Sequence, residues 1–318
     1  MQALKVTLFS DGRPGHEKQS RGIVKALETY VDVEVREILI HRRNFVADIG
    51  AHVSLFFHFG NYVNPDIDLN SDLLIGTGSQ THIPMLVAGR KARARIVTCM
   101  TPMSYLLKKF DLCCIPVHDQ VKPTKNIFHT VGPPNITSGS EDHDQNKRLI
   151  LIGGEDDSSH TWDDEKVVSD VIMLIKRSDQ ISWVISSSPR TPLLTERLVQ
   201  KEVKSLANVQ FSPFPETCPG WIEEQYQIND AVWITGDSIS MVYEALSAGC
   251  RVGVLPVQWK KTDNKFQRSL SYLLQENLVI SLSQYLMEAI EWQNHEPLNE
   301  ADRCAKEILR RWWPKSIQ

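Results

Sequence analysis

Short apolar runs alternate with helix-length amphipathic segments along most of this chain, and this alternation restricts the architectures that it can form. The first half contains the runs KVTLF, DVEVREIL, DLLIGTGS, ARIVTCM, DLCCIP and NIFHTVG, at intervals that leave room for crossover helices. Runs rich in Val, Ile and Leu without polar alternation favour parallel strands that are buried on both faces. The pattern therefore predicts an α/β fold with right-handed crossovers.

The alternation is interrupted at residues 133–148 and then resumes. The interrupting segment, PPNITSGSEDHDQNKR, has the Pro, Asn, Ser, Gly and charged residues that are typical of a surface linker. The later strand-like runs are RLILIGG, QISWVISSS, NVQFSPF, AVWITG and RVGVLP. A chain of 318 residues is long enough to form two hydrophobic cores. We therefore predict two Rossmann-like domains, residues 1–145 and 146–318.

Charge and cysteine content argue against several classes of protein. A net charge of -4 and a pI near 6.2 disfavour general nucleic-acid binding, which normally needs a strongly basic domain. None of the six cysteines has the spacing of a zinc ribbon or a redox motif, so we expect reduced thiols and a cytoplasmic location. The acidic run after Gly154 lacks the spacing of an EF-hand calcium loop.

The loop SDGRPGHEKQS follows the first predicted strand and carries more chemistry than a connector needs. Asp11 and His16 are candidate general bases, and Arg13 can pair with a phosphate or a carboxylate. Gly15 permits close approach of a substrate to the first turn of the helix, whose N–H groups can bind an anion. His16 is the first choice as base because histidine ordinarily titrates near neutrality, and Asp11 is the second. Turn capping by Asp11 and a surface position for His16 are the alternatives.

Two further loops of the first domain carry candidate acceptor-side residues. Ser79 and His82 lie in LIGTGSQTH, and His118 and Asp119 lie in VHDQV. Both loops follow predicted strands, and open parallel sheets bind ligands at the carboxyl ends of their strands. A buried helical position explains His82 equally well, and a simple turn explains His118 and Asp119.

The loops of the second domain are rich in groups that bind phosphate and ribose. Gly153 and Gly154 end a strand and can present backbone N–H groups to a diphosphate. Glu244 lies seven residues after Asp237, nearly two turns inside a helix, where the helix dipole no longer explains an acid. A carboxylate at this position can accept both hydroxyls of a ribose. The predicted donor-binding residues are Gly153, Gly154, Ser188, Arg190, Asp237, Ser238, Ser240 and Glu244.

A basic segment and the C-terminal sequence raise the question of a membrane partner. Residues 85–110 contain basic residues and no acidic ones: Arg90, Lys91, Arg93, Arg95, Lys108 and Lys109. A solvated face explains such a segment, and so does contact with anionic lipid headgroups or an anionic acceptor. The last predicted helix, NEADRCAKEILRRWWP, can either pack its tryptophans internally or place them at a membrane interface.

The motifs DGRPGHEKQS, IPVHD, LIGG, SSSPRTP and TGDSISMVYEALSAG together resemble the mitochondrial-fission-protein-like (ELM-type) family, which is grouped with the glycosyltransferases. They span residues 10 to about 256, most of the chain. The resemblance implies a GT-B-like fold, in which two Rossmann-like domains face each other across a cleft. The second domain then binds the nucleotide-sugar donor, the first binds most of the acceptor, and the last helix returns to the first domain.

The resemblance also implies a reaction and roles for particular residues. The expected reaction moves a sugar from a nucleotide-sugar donor to a glycan or lipid-linked acceptor, in synthesis of lipooligosaccharide or another cell-surface glycan. GRPGH and GDSISMVYEALSAG are similar in placement to segments of lipid-linked N-acetylglucosaminyltransferases, which implies Glu244 at the ribose and His16 or Asp11 as base. Enzymes of this type generally need no metal and no cofactor beyond the donor. The acceptor-side residues are Arg13, Gly15, Ser79, His82, His118 and Asp119.

Two rival functions fit the same architecture. The first is a non-catalytic scaffold, because plant relatives are connected with mitochondrial division. Such a scaffold would bind no nucleotide. A nucleotide-sugar epimerase would act without an acceptor, with acid and base groups drawn from His16, His82, Asp119 and His160. A Rossmann oxidoreductase is disfavoured because GRPG is not the dinucleotide fingerprint GxGxxG.

Overall fold

The computed structural model describes residues 3–40, 70–139, 142–261, 263–287, 292 and 295–317. The chain divides into two compact units: Met1–Ile136 with Asn299–Gln318, and Thr137–Leu298. The boundary predicted at residue 145 differs from this division, because it falls inside a strand of the second unit, Asp144–Leu151. The first residues of that strand are polar and mostly exposed, so their composition continues that of the linker.

Strands and helices alternate in both units. The strands are β1 Leu4–Ser10, β2 Val33–Leu39, β3 Leu73–Thr77, β4 Arg95–Cys99, β5 Leu112–Pro116, β6 Ile127–Thr130, β7 Asp144–Leu151, β8 His160–Thr161, β9 Ser182–Ser186, β10 Val209–Ser212, β11 Asn229–Thr235, β12 Arg251–Leu255, β13 Gln258–Trp259 and β14 Val279–Ser281. The helices are α1 Pro14–Glu28, α2 Ser79–Ala92, α3 Asp164–Lys176, α4 Leu193–Val203, α5 Trp221–Ile228, α6 Ile239–Ala248, α7 Lys265–Gln275, α8 Leu282–Met287 and α9 Glu300–Trp312.

The first unit is built on a six-stranded sheet with the order β2-β1-β3-β4-β5-β6. All of its strand pairs are parallel. Helix α1 starts with Pro14, whose fixed φ suits the first helical position. Ile23, Val24 and Leu27 recur at helical spacing and are buried in the core against β1 and β3.

Helix α9 belongs to the first unit although it lies at the other end of the sequence. Its buried stripe, Cys304, Ala305, Ile308 and Leu309, joins the same core as α1, and both tryptophans that follow pack against that core. The stripe repeats every three to four residues, as the burial of one helix face requires. Among the described residues, no helix combines the length and the apolar character that crossing a membrane requires.

The second unit is built on another parallel six-stranded sheet, with the order β10-β9-β7-β11-β12-β14. Counted along the unit, this is the 3-2-1-4-5-6 order of dinucleotide-binding folds. Gly249 adopts a left-handed conformation (φ 86°) and caps α6, where its N–H donates to the Leu246 carbonyl at 3.2 Å. The predicted α/β class with two Rossmann-like domains is therefore confirmed.

Some connections differ from the sequence-based prediction. The intervals between the apolar runs indicate room for crossover helices, but residues 100–111 and 117–126 contain single 3-10 turns, Leu107–Lys109 and Val117–Asp119. These segments have 12 and 10 residues, which is at the lower limit of the length that a crossover with a helix requires. The antiparallel pair of β8 with β13 was not predicted, because two-residue strands leave no periodic pattern in a sequence.

The six cysteines give a direct test of packing. Only Cys218 is exposed, and burial raises the pKa of the Cys113 and Cys250 thiols to about 12. Since the thiolate is the reactive form, we expect one thiol to react quickly with a thiol reagent in native protein at neutral pH, and all of them after unfolding. Cys218→Ser should abolish the fast reaction. Rapid labelling of further thiols in native protein would contradict the packing of both cores.

Candidate functional site

The loops after β7 and β11 lie side by side, at the point where the order of the second sheet reverses. Gly153 and Gly154 follow β7, and Asp237 and Ser238 follow β11. The Gly153 N–H donates to Thr235 Oγ1 at 2.7 Å, and the Gly154 N–H donates to Asp237 Oδ2 at 3.1 Å. Strand order thus brings together two loops that are about 80 residues apart in sequence.

These hydrogen bonds change the role expected for the two glycines. Their N–H groups already donate to side chains of the same unit, so the structure does not present them to a diphosphate. A Cβ on Gly153 would overlap the Asp237 carboxylate, and one on Gly154 would lie 2.5 Å from Thr191 N. Glycine is needed here because the loops approach each other closely.

Arg190 ties the loop after β9 to the same place. Its guanidinium donates to Asp237 Oδ2 at 2.7 Å and to the Gly154 carbonyl at 3.0 Å. The Asp237 side chain is 1% exposed, whereas the Arg190 side chain is 43% exposed. The ion pair therefore anchors the loop on a buried carboxylate and leaves part of the guanidinium in contact with solvent.

Ser188 and Thr191 hold the glycine loop from its other side. Ser188 Oγ donates to the Gly153 carbonyl at 2.8 Å, and Thr191 Oγ1 donates to the same carbonyl. Thr191 Oγ1 also accepts the Ser188 N–H at 2.8 Å. Ser188, predicted as a donor-binding residue, thus has its hydroxyl engaged within the loops. We call residues 153–154, 188–191 and 235–238 the loop cluster.

Helix α6 begins inside the loop cluster. Ser238 is its N-cap residue, and Ser238 Oγ donates to Asp237 Oδ2 at 3.1 Å. The Ser238 N–H donates to the Thr235 carbonyl at 3.0 Å and the Met241 N–H to the Ser238 carbonyl at 3.0 Å. The N–H groups of Ile239 and Ser240 remain in the first turn, at the positive end of the helix dipole. Ser240 is exposed in this turn. The first turn of α6 and the exposed part of Arg190 are therefore the groups of this region suited to meet an anion.

Glu244 lies further along α6 and is largely buried. Burial and the negative charge of Glu244 together raise the pKa of Tyr226 well above its ordinary value. The Tyr226 hydroxyl donates to the Met241 carbonyl at 3.4 Å. Glu244 thus lies near Tyr226 inside the second unit, and its contact with a ribose stays a prediction.

His160 supports the loop cluster in a way that the sequence did not indicate. Its Nε2 is hydrogen-bonded to the Gly154 carbonyl at 3.0 Å, and its Nδ1 to Ser159 Oγ at 2.8 Å. The ring is buried and makes edge contacts with Trp162 and Trp259. The pairing of β8 with β13 creates this environment, so no local motif could have revealed it.

The first sheet reverses its order between β1 and β3, and Asp11 and His16 meet at that point. His16 Nδ1 lies 2.9 Å from Asp11 Oδ2, and the Asp11 and His16 side chains are 4% and 17% exposed. The Arg13 N–H donates to Asp11 Oδ1 at 3.2 Å. When Nδ1 carries the proton in this pair, Nε2 has a free lone pair that can accept a proton.

Gly78 fits against this pair and provides a test of it. Its φ is 97°, and a Cβ would lie 2.7 Å from both Asp11 Oδ2 and His16 Cε1. We expect Gly78→Ala to lower the free energy of unfolding by roughly 1–3 kcal/mol, measured by urea denaturation. Gly15→Ala is the matched control, since nothing lies within 4 Å of its Cβ position. An equal loss in both variants would contradict the described contact.

The other predicted acceptor-side residues fall into two groups. Arg13, Gly15 and Ser79 are exposed near the Asp11–His16 pair: Arg13 precedes α1, and Gly15 and Ser79 lie in the first turns of α1 and α2. His82, in contrast, is buried, with Nε2 3.3 Å from Thr98 Oγ1 and an edge contact to Phe110. The structure therefore favours the alternative of a buried helical residue for His82.

His118 and Asp119 form a small group after β5. Their side chains approach to 3.8 Å, and Thr101 Oγ1 donates to Asp119 Oδ2 at 2.6 Å. These contacts hold the turn Val117–Asp119 in place. In the described part of the chain, no three His, Cys, Asp or Glu side chains are grouped as metal ligands.

Comparison with solved structures supports the fold. The chain is similar to a UDP-N-acetylglucosamine 2-epimerase (TM-score 0.55, 13% identity, covering 98% of this chain and 97% of that chain). It is also similar to S. aureus MnaA in a structure with UDP (TM-score 0.54, 14% identity, covering 97% and 96%). A glycosyltransferase from Rickettsia africae ESF-5 matches with a TM-score of 0.49 and 12% identity, covering 98% and 100%.

Sequence comparison identifies the family. A search of curated proteins gives no significant match. Residues 14–312 match the mitochondrial fission ELM1 family, and this range includes the loop cluster and His16. The chain therefore belongs to the mitochondrial fission ELM1 family.

Proposed function

We propose that this protein is a glycosyltransferase whose second unit binds a nucleotide-sugar donor. The observation that carries the proposal is the convergence of Arg190, Asp237 and the start of α6 where the order of the second sheet reverses. Open parallel sheets bind ligands at such points. A fixed guanidinium beside a helix N-terminus suits the diphosphate of a sugar nucleotide.

The diphosphate would be bound by groups that the loop cluster leaves available. These are the exposed part of Arg190, the N–H groups of Ile239 and Ser240 in the first turn of α6, and the Ser240 hydroxyl. They would stabilise the negative charge that develops on the leaving diphosphate without a metal ion. Gly153, Gly154, Ser188 and Asp237 would act indirectly, because their polar groups hold Arg190 and the loops in position.

A uridine nucleotide is the donor to test first. S. aureus MnaA, which is similar in fold, has been crystallised with UDP. In this proposal Glu244 accepts the hydroxyls of the ribose, as its place on the helix after β11 and the resemblance to lipid-linked N-acetylglucosaminyltransferases suggest. A carboxylate that accepts two hydroxyls gives strong, charge-assisted hydrogen bonds.

The Asp11–His16 pair would provide the base on the first unit. Asp11 orients the imidazole through Nδ1, and Nε2 removes the proton from the acceptor hydroxyl as that oxygen attacks the anomeric carbon. The carbon–oxygen bond to the diphosphate breaks, and the nucleoside diphosphate leaves. Arg13, Gly15 and Ser79 are exposed near this pair and would contact the acceptor.

The acceptor and the location of the protein form the finer part of the proposal. We propose a glycan or lipid-linked acceptor of a cell-surface glycan, used on the cytoplasmic side with peripheral membrane contact. The basic residues at the end of α2 and the start of β4 would make that contact. Unchanged liposome binding after neutralisation of Arg90, Lys91, Arg93 and Arg95 would remove their part in it.

A nucleotide-sugar epimerase is the second candidate. It is favoured by the fold likeness to UDP-N-acetylglucosamine 2-epimerases. Two of the acid and base groups that it would use are held inside the protein, however. His82 is buried against Thr98 and Phe110, and His160 is buried against the Gly154 carbonyl. The geometry therefore favours a transferase.

Product analysis distinguishes the two candidates. The protein is incubated with UDP-N-acetylglucosamine in the presence of EDTA, with and without bacterial glycan or lipid-linked acceptors. A transferase gives UDP and a glycosylated acceptor, and only slow hydrolysis without acceptor. Conversion of the donor to its C2 epimer without acceptor would support the epimerase. Transfer that disappears in EDTA would contradict the metal-free mechanism.

A further inference from the structure

A cavity of about 480 Å³ lies in the first unit, where segments far apart in sequence meet. Arg93 reaches it from the turn after α2, Arg95 from the start of β4, and Arg311 and Trp312 from the end of α9. Arg95 is the first residue of β4, so the cavity lies at the amino ends of the strands. Asp11 and His16 follow the carboxyl end of β1, so they lie at the opposite ends of the strands of the same sheet. We call this cavity the arginine pocket.

The lining of the arginine pocket carries a surplus of positive charge. Three guanidinium groups line it, and Asp72 is the one carboxylate among the described lining residues. Asp72 Oδ2 already accepts the Lys5 N–H at 3.0 Å. The acids paired with the arginines are Asp111, 3.4 Å from Arg95, and Glu307, 2.6 Å from Arg311, and neither lines the pocket. The carboxylates of Asp111 and Glu307 therefore offset the positive charge of Arg95 and Arg311 from outside the pocket.

The two paired arginines make contacts that orient their guanidinium groups, and both retain unused donors. The Arg95 guanidinium lies 5.4 Å from the centre of the Trp312 ring, a cation–π contact. Arg311 donates through Nε to Glu307 and through NH1 to the Lys125 carbonyl at 2.8 Å. Each guanidinium has five N–H donors, so both can still donate to a ligand. Preorganised arginines lose little entropy when they bind an oxyanion.

We propose that the arginine pocket binds a phosphoryl or carboxylate group. Guanidinium groups match the paired oxygens of both groups. The volume exceeds that of a single phosphate, and a second cavity of about 1070 Å³ shares Asp72, Trp312 and Trp313 with the pocket. The anionic group is therefore part of a larger ligand, either a soluble molecule or a lipid headgroup. The pocket lies at the amino ends of the strands of the first sheet, away from Asp11 and His16, so its ligand binding can be measured apart from glycosyl transfer. Its lipid-headgroup form rests on the membrane contact proposed above.

Binding of simple probes tests the proposal. Inorganic phosphate and pyrophosphate are titrated by calorimetry into the wild type and into each variant. Lipid binding is measured separately, by co-sedimentation with vesicles of phosphatidylcholine, with and without phosphatidylglycerol. We expect Arg93→Gln/Arg95→Gln to weaken binding of phosphate, or of anionic vesicles, by about tenfold or more. Lys108→Gln/Lys109→Gln is the matched control, since it removes the same charge from the same basic segment outside the pocket. Arg93→Gln alone, at an exposed position, tests the pocket if the double variant does not fold.

Each outcome decides the proposal. Loss of phosphate binding in the pocket variant alone supports a soluble ligand, and loss of vesicle binding alone supports a lipid headgroup. Equal losses in the pocket variant and in the lysine control would show unspecific charge and overturn the proposal. Arg190→Gln is titrated alongside these variants. Phosphate binding that is lost in Arg190→Gln and kept in Arg93→Gln/Arg95→Gln would place the anion at the loop cluster and would also overturn the proposal. Absence of both phosphate and vesicle binding would also overturn it.

Discussion

Replacing His16 with alanine is expected to lower kcat by about 100- to 10,000-fold, the usual contribution of a general base. The physical reason is the geometry of the pair, since Asp11 holds Nδ1 at 2.9 Å and Nε2 is the position left to accept a proton. Nucleotide binding should not change, because the loop cluster belongs to the other unit. Steady-state kinetics of sugar transfer, together with the dissociation constant of the nucleoside diphosphate, measure both effects.

Asp11→Asn separates the two candidate bases. If Asp11 only orients His16, Asp11→Asn should also lower kcat, because an amide can hold the ring in the wrong tautomer. The Asp11→Asn/His16→Ala double variant should then lose little more activity than His16→Ala, because the two residues act as a unit. If Asp11 is the base itself, His16→Ala should retain more activity than Asp11→Asn. A kcat that stays near wild type in His16→Ala, with the protein folded, would remove His16 from the mechanism.

Replacing Arg190 with glutamine is expected to lower the free energy of unfolding by about 2–3 kcal/mol. This loss is smaller than the full cost of breaking a buried ion pair, because the Arg190 side chain is partly exposed. The Asp237 carboxylate is 1% exposed and would lose its charged partner. The same change should weaken nucleotide binding by about tenfold or more, since it removes a charge-assisted contact to the diphosphate. Urea denaturation and nucleotide titration measure the two effects separately.

A double-mutant cycle gives the control. Asp237→Asn should cost less stability than Arg190→Gln, because the exposed guanidinium can be solvated and the amide oxygen can still accept from the Gly154 N–H. The double variant should then recover part of the stability lost in Arg190→Gln. Strictly additive losses would contradict the ion pair. Normal nucleotide binding in Arg190→Gln would remove Arg190 from the donor site.

The sequence predicted those parts of the fold that leave a periodic or local signal. The apolar runs correspond to strands of both sheets, and EKQSRGIVKALETYV and SMVYEALSAG mark α1 and α6. Gly249 marks the end of α6 because a left-handed C-terminal cap strongly favours glycine. The domain boundary was displaced because β7 begins with exposed polar residues, whose composition resembles that of a linker.

The contacts within the candidate site could be predicted only in part. Neighbouring strands of a parallel sheet end close together. A contact between the loops that carry the two glycines, Arg190 and Asp237 could therefore be foreseen. That Thr235 and Asp237 use both glycine N–H groups depends on side-chain positions, which no motif specifies. The environment of His160 depends on the pairing of β8 with β13, whose residues are nearly 100 positions apart in sequence. The arginine pocket depends on contacts over still longer separations, such as that between Arg95 and Trp312.

Binding of a donor nucleotide to the second unit is the central claim, and a thermal-shift panel tests it most directly. UDP, GDP, ADP, dTDP, CDP and CMP are added to the wild type, to Glu244→Ala and to Glu165→Ala, a control that removes an exposed acid of the same unit. A nucleotide at about a hundred times its dissociation constant should stabilise the protein by roughly 2.7 kcal/mol. We predict that one nucleotide, UDP first, raises the Tm of the wild type and of Glu165→Ala but not that of Glu244→Ala. No shift with any of the nucleotides would contradict the donor site and favour a non-catalytic scaffold.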